Sequence, residues 1–527
     1  MIKFHAIITS FFFLWLFNSV YPTRKNLLII TVDDLKPTLG YYQDKSAKTP
    51  HIDALARRST AFLKNYCQQA VCAPSRVSMM TGMRPDSTGV QDLHTFMRDI
   101  NPKTITLPQH LKNQGYRSIG YGKILHGAKN DDPESWDERY LDQHLNYSEN
   151  HPNPVIFKFQ NPKIHKKYNE YIQNSVFKPY QIGKIQKKLK VEELYPATES
   201  FELPDDAYPD GSMANASILR LSKLAKEQEP FIMTLGFRKP HLPFNAPKKY
   251  WDIYNRNDFT LSPSQTQPLG APKIAMHSFG ELGAYSGFKT GENVPEAKQK
   301  ELIHGYYACV SYVDAQIGKV MEAMDYSGLS KNTVIIFWGD HGYHLGDHGI
   351  WCKHSNFEQA TATPLLIMDP TIKPDQKVHH PTELVDIFPS VCELLNLPRP
   401  NGIQGDSLVP LMKDPSTKIK NYAMSQYTRH SHQGYSIRTK RYRLTYWMKK
   451  GFYSFIPFKK DLLDYVELYD YQTDPHEKIN HAKNMEFKEV LERMETHMQH
   501  YFKKYEDPHL ASTMPNLIAD KSRKFKK

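Results

Sequence analysis

Four short apolar runs recur along the chain, and each gives way at once to polar residues able to do chemistry. NLLIITV (26–32) leads into Asp33 and Asp34, RSIGY (117–121) into Gly122, Lys123 and His126, FIMTLGF (231–237) into Lys239, Pro240 and His241, and TVIIFW (333–338) into Gly339, Asp340 and His341. Near-continuous apolar strands are what a parallel sheet covered on both faces requires, because neither face meets water. Between the runs the apolar positions change to helical spacing, most clearly over 306–324 (YYACVSYVDAQIGKVMEAM), which predicts a long helix. The pattern reads as an α/β fold, a large doubly wound and mostly parallel sheet.

In such sheets ligands bind beyond the carboxyl ends of the strands. Asp33, Asp34, Lys123, His126, His241, Asp340 and His341 would then share one rim. Each alone reads as a turn former or a satisfied polar residue; their shared placement after strands makes them candidates for one site. The pattern weakens over 131–210 and again over 255–296, polar stretches expected to run as long excursions around the pocket. After Pro410 and the polar DPSTKIKN, strand-like pieces (GYSIRTKRYRLTYW, VELYDYQ) and a helical pattern over 486–505 predict a smaller α+β unit. The expected divisions are a leader at 1–22, a main domain at 23–412, a C-terminal subdomain at 413–515 and a basic tail at 516–527.

The leader has a Lys near its start and an apolar run over 6–17, shorter than the roughly 20 residues a spanning helix needs. It reads as a secretory signal peptide rather than an anchor, with no stable membrane insertion expected. Sequons at Asn146 and Asn215 fit an exported glycoprotein. The five cysteines, Cys67, Cys72, Cys309, Cys352 and Cys392, lack zinc-finger spacing and their scatter does not read as a disulfide framework. A net charge of +12 draws in polyanions. With export expected and no nucleic-acid module recognisable, an acidic polysaccharide is the better partner; solvated surface lysines are the plainer account of the same excess.

Cys72 stands out, boxed in by Pro74 and Arg76 in QQAVCAPSRVSMMTGMRPD. A thiol there could be a nucleophile, half of a disulfide with Cys67, a metal ligand, or raw material for another group. Cys72-x-Pro74-x-Arg76 followed by Thr81-Gly82 resembles the signature of the type I sulfatases. The resemblance implies an alkaline-phosphatase/sulfatase-like fold and oxidation of Cys72 to Cα-formylglycine by a formylglycine-generating enzyme during secretion. It also implies one Ca²⁺ held by Asp33, Asp34, Asp340 and His341, with an oxygen at position 72 completing the set. The imidazole of His341 is a poorer ligand for a hard ion than an amide oxygen, so His341 is either a weaker ligand or a residue behind the ligands. Arg76 would brace position 72 and the carboxylates, and Lys123 and His126 would flank the hydrated aldehyde, His126 as the base for elimination. His241 and Lys353 would bind sulfate oxygens, and one of them would protonate the leaving alcohol.

Within the family, TVDDLKPTLGYYQDK, GYGKILH, FRKPHLPF, GDHGYHLGDHGIWCKHSNFEQATATPLL and GYSIRTKRYRLTYW are most similar to members that remove 2-O-sulfate from terminal iduronate in heparan and dermatan sulfate. The implied partner is a sulfated glycosaminoglycan undergoing degradation, and Arg238, His241, Lys353 and Arg438 are candidates to meet its carboxylate. The implied compartment is the lysosome in an animal, the periplasm or medium in a bacterium. Three other readings stand beside this one: a sulfatase for another sulfated carbohydrate, a phosphate or phosphonate ester hydrolase, and a secreted glycan-binding protein with a dead site. The second usually places Ser or Thr at the nucleophile. Against the third, every position of the expected set is occupied.

Overall fold

In a computed structural model, the structure describes residues 24–127, 131–140, 159–174, 176, 182–227, 229–278, 280–449 and 459–505. The leader, the basic tail and the Asn146 sequon lie outside the described residues. The four apolar runs form four consecutive strands of an eight-stranded sheet, in the order Thr333–Gly339, Asn26–Val32, Phe231–Phe237, Arg117–Gly122, all mutually parallel. Outside Thr333–Gly339 lie Leu365–Met368, antiparallel to both its neighbours, then Thr60–Phe62 and Gln376–Val378; Glu138–Tyr140 closes the other edge.

Side chains alternate between two apolar layers, which is why the runs lack a polar face. Leu28, Ile30, Val32, Met233, Leu235, Ile335 and Phe337 enter one layer. Leu27, Ile29, Ile232, Val334, Ile336 and Trp338 enter the other. The helix Glu296–Tyr326 extends the expected 306–324 segment in both directions and contributes Tyr306, Val310, Val313 and Ile317 to the first layer. The helices Cys72–Thr81 and Ile387–Leu394 cover the second. Residues on the expected excursion over 131–210 form the helices Pro162–Gln173 and Ile182–Val191, with buried Ile164, Tyr168, Ile185 and Leu189 at helical spacing amid lysines.

Downstream, Ala423–Arg429, His432–Arg438, Tyr442–Met448 and Leu463–Asp470 make a four-stranded antiparallel meander. The helix Lys488–Tyr505 packs Met494, Met498, Tyr501 and Phe502 against it. The meander meets the main sheet's side of the molecule near the Cys72 helix, where the Gln426 N–H donates to the Gln68 carbonyl at 2.7 Å and Ser425 Oγ to the Cys67 carbonyl at 2.6 Å.

Candidate active site

The strand tips are stitched together before any side chain is considered. The Asp33 N–H donates to the Phe237 carbonyl at 3.2 Å, Asp340 N–H to Val32 at 3.1 Å, and Lys123 N–H to Gly236 at 2.8 Å. A Cβ at Gly236 would stand 2.1 Å from the Lys123 carbonyl oxygen, so only glycine lets that backbone lie on the strand end. Asp34 turns the chain with φ 59°, a conformation sparsely populated by residues with a Cβ. Its N–H donates to Asp340 Oδ1 at 2.9 Å, drawing the carboxylate-bearing turns together.

Cys72 is the first residue of its helix and follows extended Val71; every residue of Cys72–Thr81 is buried, and Gly82 ends the helix at φ 64°. Its sulfur lies 3.4 Å from His341 Nε2 and 3.7 Å from Lys123 Nζ. The unpaired N–H groups of a helix start add potential favourable to an anion. Arg76, one turn along, is fully buried. Its guanidinium donates to Asp340 Oδ2 and Asp33 Oδ1, both at 2.9 Å, and to the carbonyls of Lys123 at 2.6 Å and Ile124 at 3.1 Å. Such charge-assisted, forked bonding fixes three strand ends with one side chain. Lys123 Nζ also donates to Asp33 Oδ2.

The two adjacent aspartates are electrostatically unlike. Burial alone would raise both, but at Asp33 the charges of Lys123 and Arg76 outweigh it and hold the carboxyl well below the usual range. At Asp34 burial prevails over the attraction of Lys353, and the carboxyl is held well above that range. Asp34 Oδ2 accepts from Lys353 Nζ at 2.9 Å, whereas its buried Oδ1 has no hydrogen-bond partner among the described residues. His341 Nδ1 lies 3.0 Å from the Gly342 carbonyl, so it is the donor there. That turns Nε2 toward Asp34 Oδ1 at 3.5 Å, Asp340 Oδ2 at 3.6 Å and the Cys72 sulfur. A carbonyl that fixes one ring nitrogen and frees the other is the usual preparation of a histidine ligand.

Ligand atoms of Asp33, Asp34, Cys72 and His241 lie within 4.8 Å of one another, as do those of Cys72, Asp340 and His341. Carboxylate oxygens suit a hard divalent cation, and the unsatisfied Asp34 Oδ1 is the atom such an ion would satisfy. The residues present fit the group.

The remaining expected residues close the pocket. His241 Nδ1 donates to the Leu242 carbonyl at 2.7 Å, and the loop before it is held by Asp210, which accepts the N–H groups of Arg238 and Lys239 at 2.9 Å. His126 is partly buried and its Nδ1 has no hydrogen-bond partner among the described residues. Burial, with Lys123 adding to it, holds that imidazole down at about 3. All ten expected site residues therefore converge, and all five cysteines are free and buried, so Cys67 and Cys72 form no disulfide.

Two side chains depart from expectation. Arg438 is not free to receive a substrate carboxylate: its Nε donates to Glu358 at 3.0 Å and its guanidinium lies 3.6 Å from the Tyr471 ring centre. Glu281, which no motif singled out, reaches the centre from the 255–296 excursion. Its Oε2 lies 2.9 Å from Lys353 Nζ, its Oε1 3.1 Å from His241 Nε2.

Residues 25–397 match the family model described as Sulfatase, and 346–504 match one described as N-sulphoglucosamine sulphohydrolase, C-terminal. The chain is 30% identical over 517 residues to iduronate 2-sulfatase of Mus musculus, a match covering 85% of this chain and 89% of that one. A solved structure holding its substrate D-glucosamine-2-N,6-O-disulfate superposes with a TM-score of 0.70 at 20% identity, over 93% of this chain and 100% of that one. The phosphonate monoester hydrolase of Agrobacterium radiobacter does so at 0.71 and 19%, over 92% and 96%; at such identities the two structures speak to the fold alone. With the family match running across the strand tips that carry Asp33, Lys123, His241 and Asp340 and the helix start at Cys72, the chain belongs to the sulfatase family of sulfuric ester hydrolases.

Proposed function

We propose that this protein removes the 2-O-sulfate from terminal iduronate of heparan and dermatan sulfate, with Cys72 converted to Cα-formylglycine and Ca²⁺ in the carboxylate cluster. One observation carries the reaction: the Cys72 sulfur sits at the start of a buried helix against His341 and Lys123, one turn from Arg76. That is a place built to attack an anion. The choice of iduronate rests on likeness to the mouse enzyme and on the basic net charge of +12.

When present, the ion would neutralise sulfate charge, and the hydrated aldehyde would supply one hydroxyl for attack and a second whose proton loss expels sulfate. Asp33, Asp34, Asp340 and His341 would hold the ion, and Arg76 keeps Asp33 and Asp340 in register for it. Lys123 Nζ holds Asp33 and position 72 together. His126, kept neutral, accepts the departing proton at an imidazole nitrogen. Lys353 Nζ holds sulfate oxygens, as does His241 Nε2 when its ring carries a second proton, and one of them protonates the leaving alcohol.

The signal-like start of the chain supports export past a formylglycine-generating enzyme, then lysosomal delivery in an animal or release to the periplasm or medium in a bacterium. Among the described residues no helix is long and apolar enough to cross a membrane. Mass spectrometry of the tryptic peptide containing residue 72, from a host competent for the modification, is expected to show the aldehyde or its hydrate. An unmodified thiol would remove the nucleophile. A screen of defined sulfated disaccharides is expected to favour 2-O-sulfated uronate, and turnover of 6-O-sulfated hexosamine alone would reject the sugar.

A further inference from the structure

Glu281 places a carboxylate on the very side chains, Lys353 and His241, that the sulfatase reading gives to sulfate oxygens. It is no passing contact. The stretch carrying it is tied down at three points: Lys190 Nζ donates to the Gly283 carbonyl, the Ser286 N–H donates to the Tyr195 carbonyl at 2.8 Å, and the Tyr195 and Tyr285 rings stack with centres 4.9 Å apart. The Cys352 thiol, 2.7 Å from Oε2, braces the carboxylate from behind.

Exposure gives the direction of approach. The side chains of Glu281 and His241 are 21% and 23% exposed, whereas Lys353 and Asp34 behind them are 3% and 0%. An incoming ester meets Glu281 and His241 first. A sulfate oxygen placed on Lys353 and His241 lands beside a fixed negative charge, so a bare sulfate ester is disfavoured there. A carboxylate offers about four acceptor positions. Lys353 and Cys352 occupy Oε2, and His241, whose ring proton is already given to the Leu242 carbonyl, only lies 3.1 Å from Oε1, which leaves Oε1 for a donor arriving with the ligand.

We propose that Glu281 is a specificity-determining residue that accepts a hydrogen bond from a hydroxyl on the carbon next to the sulfated one. The substrate class is then a sulfate ester with a free vicinal hydroxyl, and an ester flanked by a second anion is rejected. In a 2-O-sulfated uronate the 3-hydroxyl would fill this role. The inference rests on the sulfatase reading of the pocket but not on which sugar it takes.

Binding tests it without turnover. In full-length Cys72→Ala protein with calcium, calorimetry would compare cyclohexyl sulfate with trans-cyclohexane-1,2-diol monosulfate, two monoanions differing by one hydroxyl. The diol ester is expected to bind more tightly. Adding Glu281→Gln is expected to tighten cyclohexyl sulfate and weaken the diol ester, shrinking their ratio by about tenfold, the scale of one hydrogen bond to a charged group. Glu281→Asp, which keeps the charge, should preserve the order, and melting curves confirm that each variant is folded. An unchanged ratio in Glu281→Gln overturns the assignment while leaving the pocket's sulfate affinity intact. Failure of both esters to bind the Cys72→Ala protein overturns the pocket reading and this inference with it.

Discussion

A serine at position 72 would keep an oxygen beside His341 and Lys123 but have no second hydroxyl with which to expel sulfate. Cys72→Ser is therefore expected to release at most one equivalent of alcohol per chain and to retain one sulfo group. Quenched-flow kinetics and intact mass read both, and sustained turnover would contradict the formylglycine reading. Arg438 makes the opposite point, because its chemistry is spent on the fold. Arg438→Ala removes one of the two arginines on Glu358, which keeps Arg443 at 2.7 Å, and losing one hydrogen bond to a charged group costs about 1.5 to 3 kcal/mol. The melting temperature should fall while KM for the sulfated substrate stays unchanged. Arg76 and Arg438 look alike in sequence as arginines within apolar segments. Only Arg76 carried a local signal, its place one helical turn after Cys72 with a proline between.

The central strands were legible because burial on both faces leaves seven-residue apolar runs such as Asn26–Val32 and Phe231–Phe237. Leu365–Met368, antiparallel in the same sheet, and the three-residue edges Thr60–Phe62 and Gln376–Val378 are too short to show any period. In the C-terminal meander, Glu467 is buried and accepts from Trp447 Nε1 and Tyr469 Oη, both at 2.6 Å. Burial raises its carboxyl from 4.5 to about 7. Between those two values the unfolded chain ionises and the folded one does not, so stability falls as pH rises through the window and levels off above it. The full effect of such a shift is about 3 kcal/mol. Glu467→Gln removes that slope: relative to the parent it should gain stability at pH 7.5 and gain little at pH 4.5. Parallel slopes in urea melts across that range would show that Glu467 does not titrate as described.

For the molecule as a whole, the carboxylate centre ties four strand tips from distant parts of the chain, so its charge balance is a property of the entire domain. The proposed calcium, bound there, would stabilise the folded state by mass action, by about 2.7 kcal/mol at a hundredfold excess over Kd. Chelation should lower the melting temperature, added Ca²⁺ should restore it, and Asp34→Asn should abolish the difference. A parent protein that melts identically with and without chelator would argue against an ion at this rim. The basic net charge acts at the same scale: it steers polyanions at long range and is screened by salt.

By itself the sequence determined the layered α/β class, the shared rim of Asp33, Asp34, Lys123, His126, His241, Asp340 and His341, and, through the resemblance carried by Cys72, Pro74 and Arg76, the sulfatase family. Those are written in local patterns, apolar runs ending in polar residues and a Cys-x-Pro-x-Arg helix start, and strand ends of a parallel sheet necessarily lie side by side. The tertiary structure decided the partners of isolated charges. It sent Arg438 to Glu358, left Asp34 Oδ1 unsatisfied beside His341, and brought Glu281 from a stretch without periodicity onto Lys353 and His241. Pairings of single side chains across hundreds of residues leave no period in the chain, because their energy comes from proximity that only the folded backbone creates.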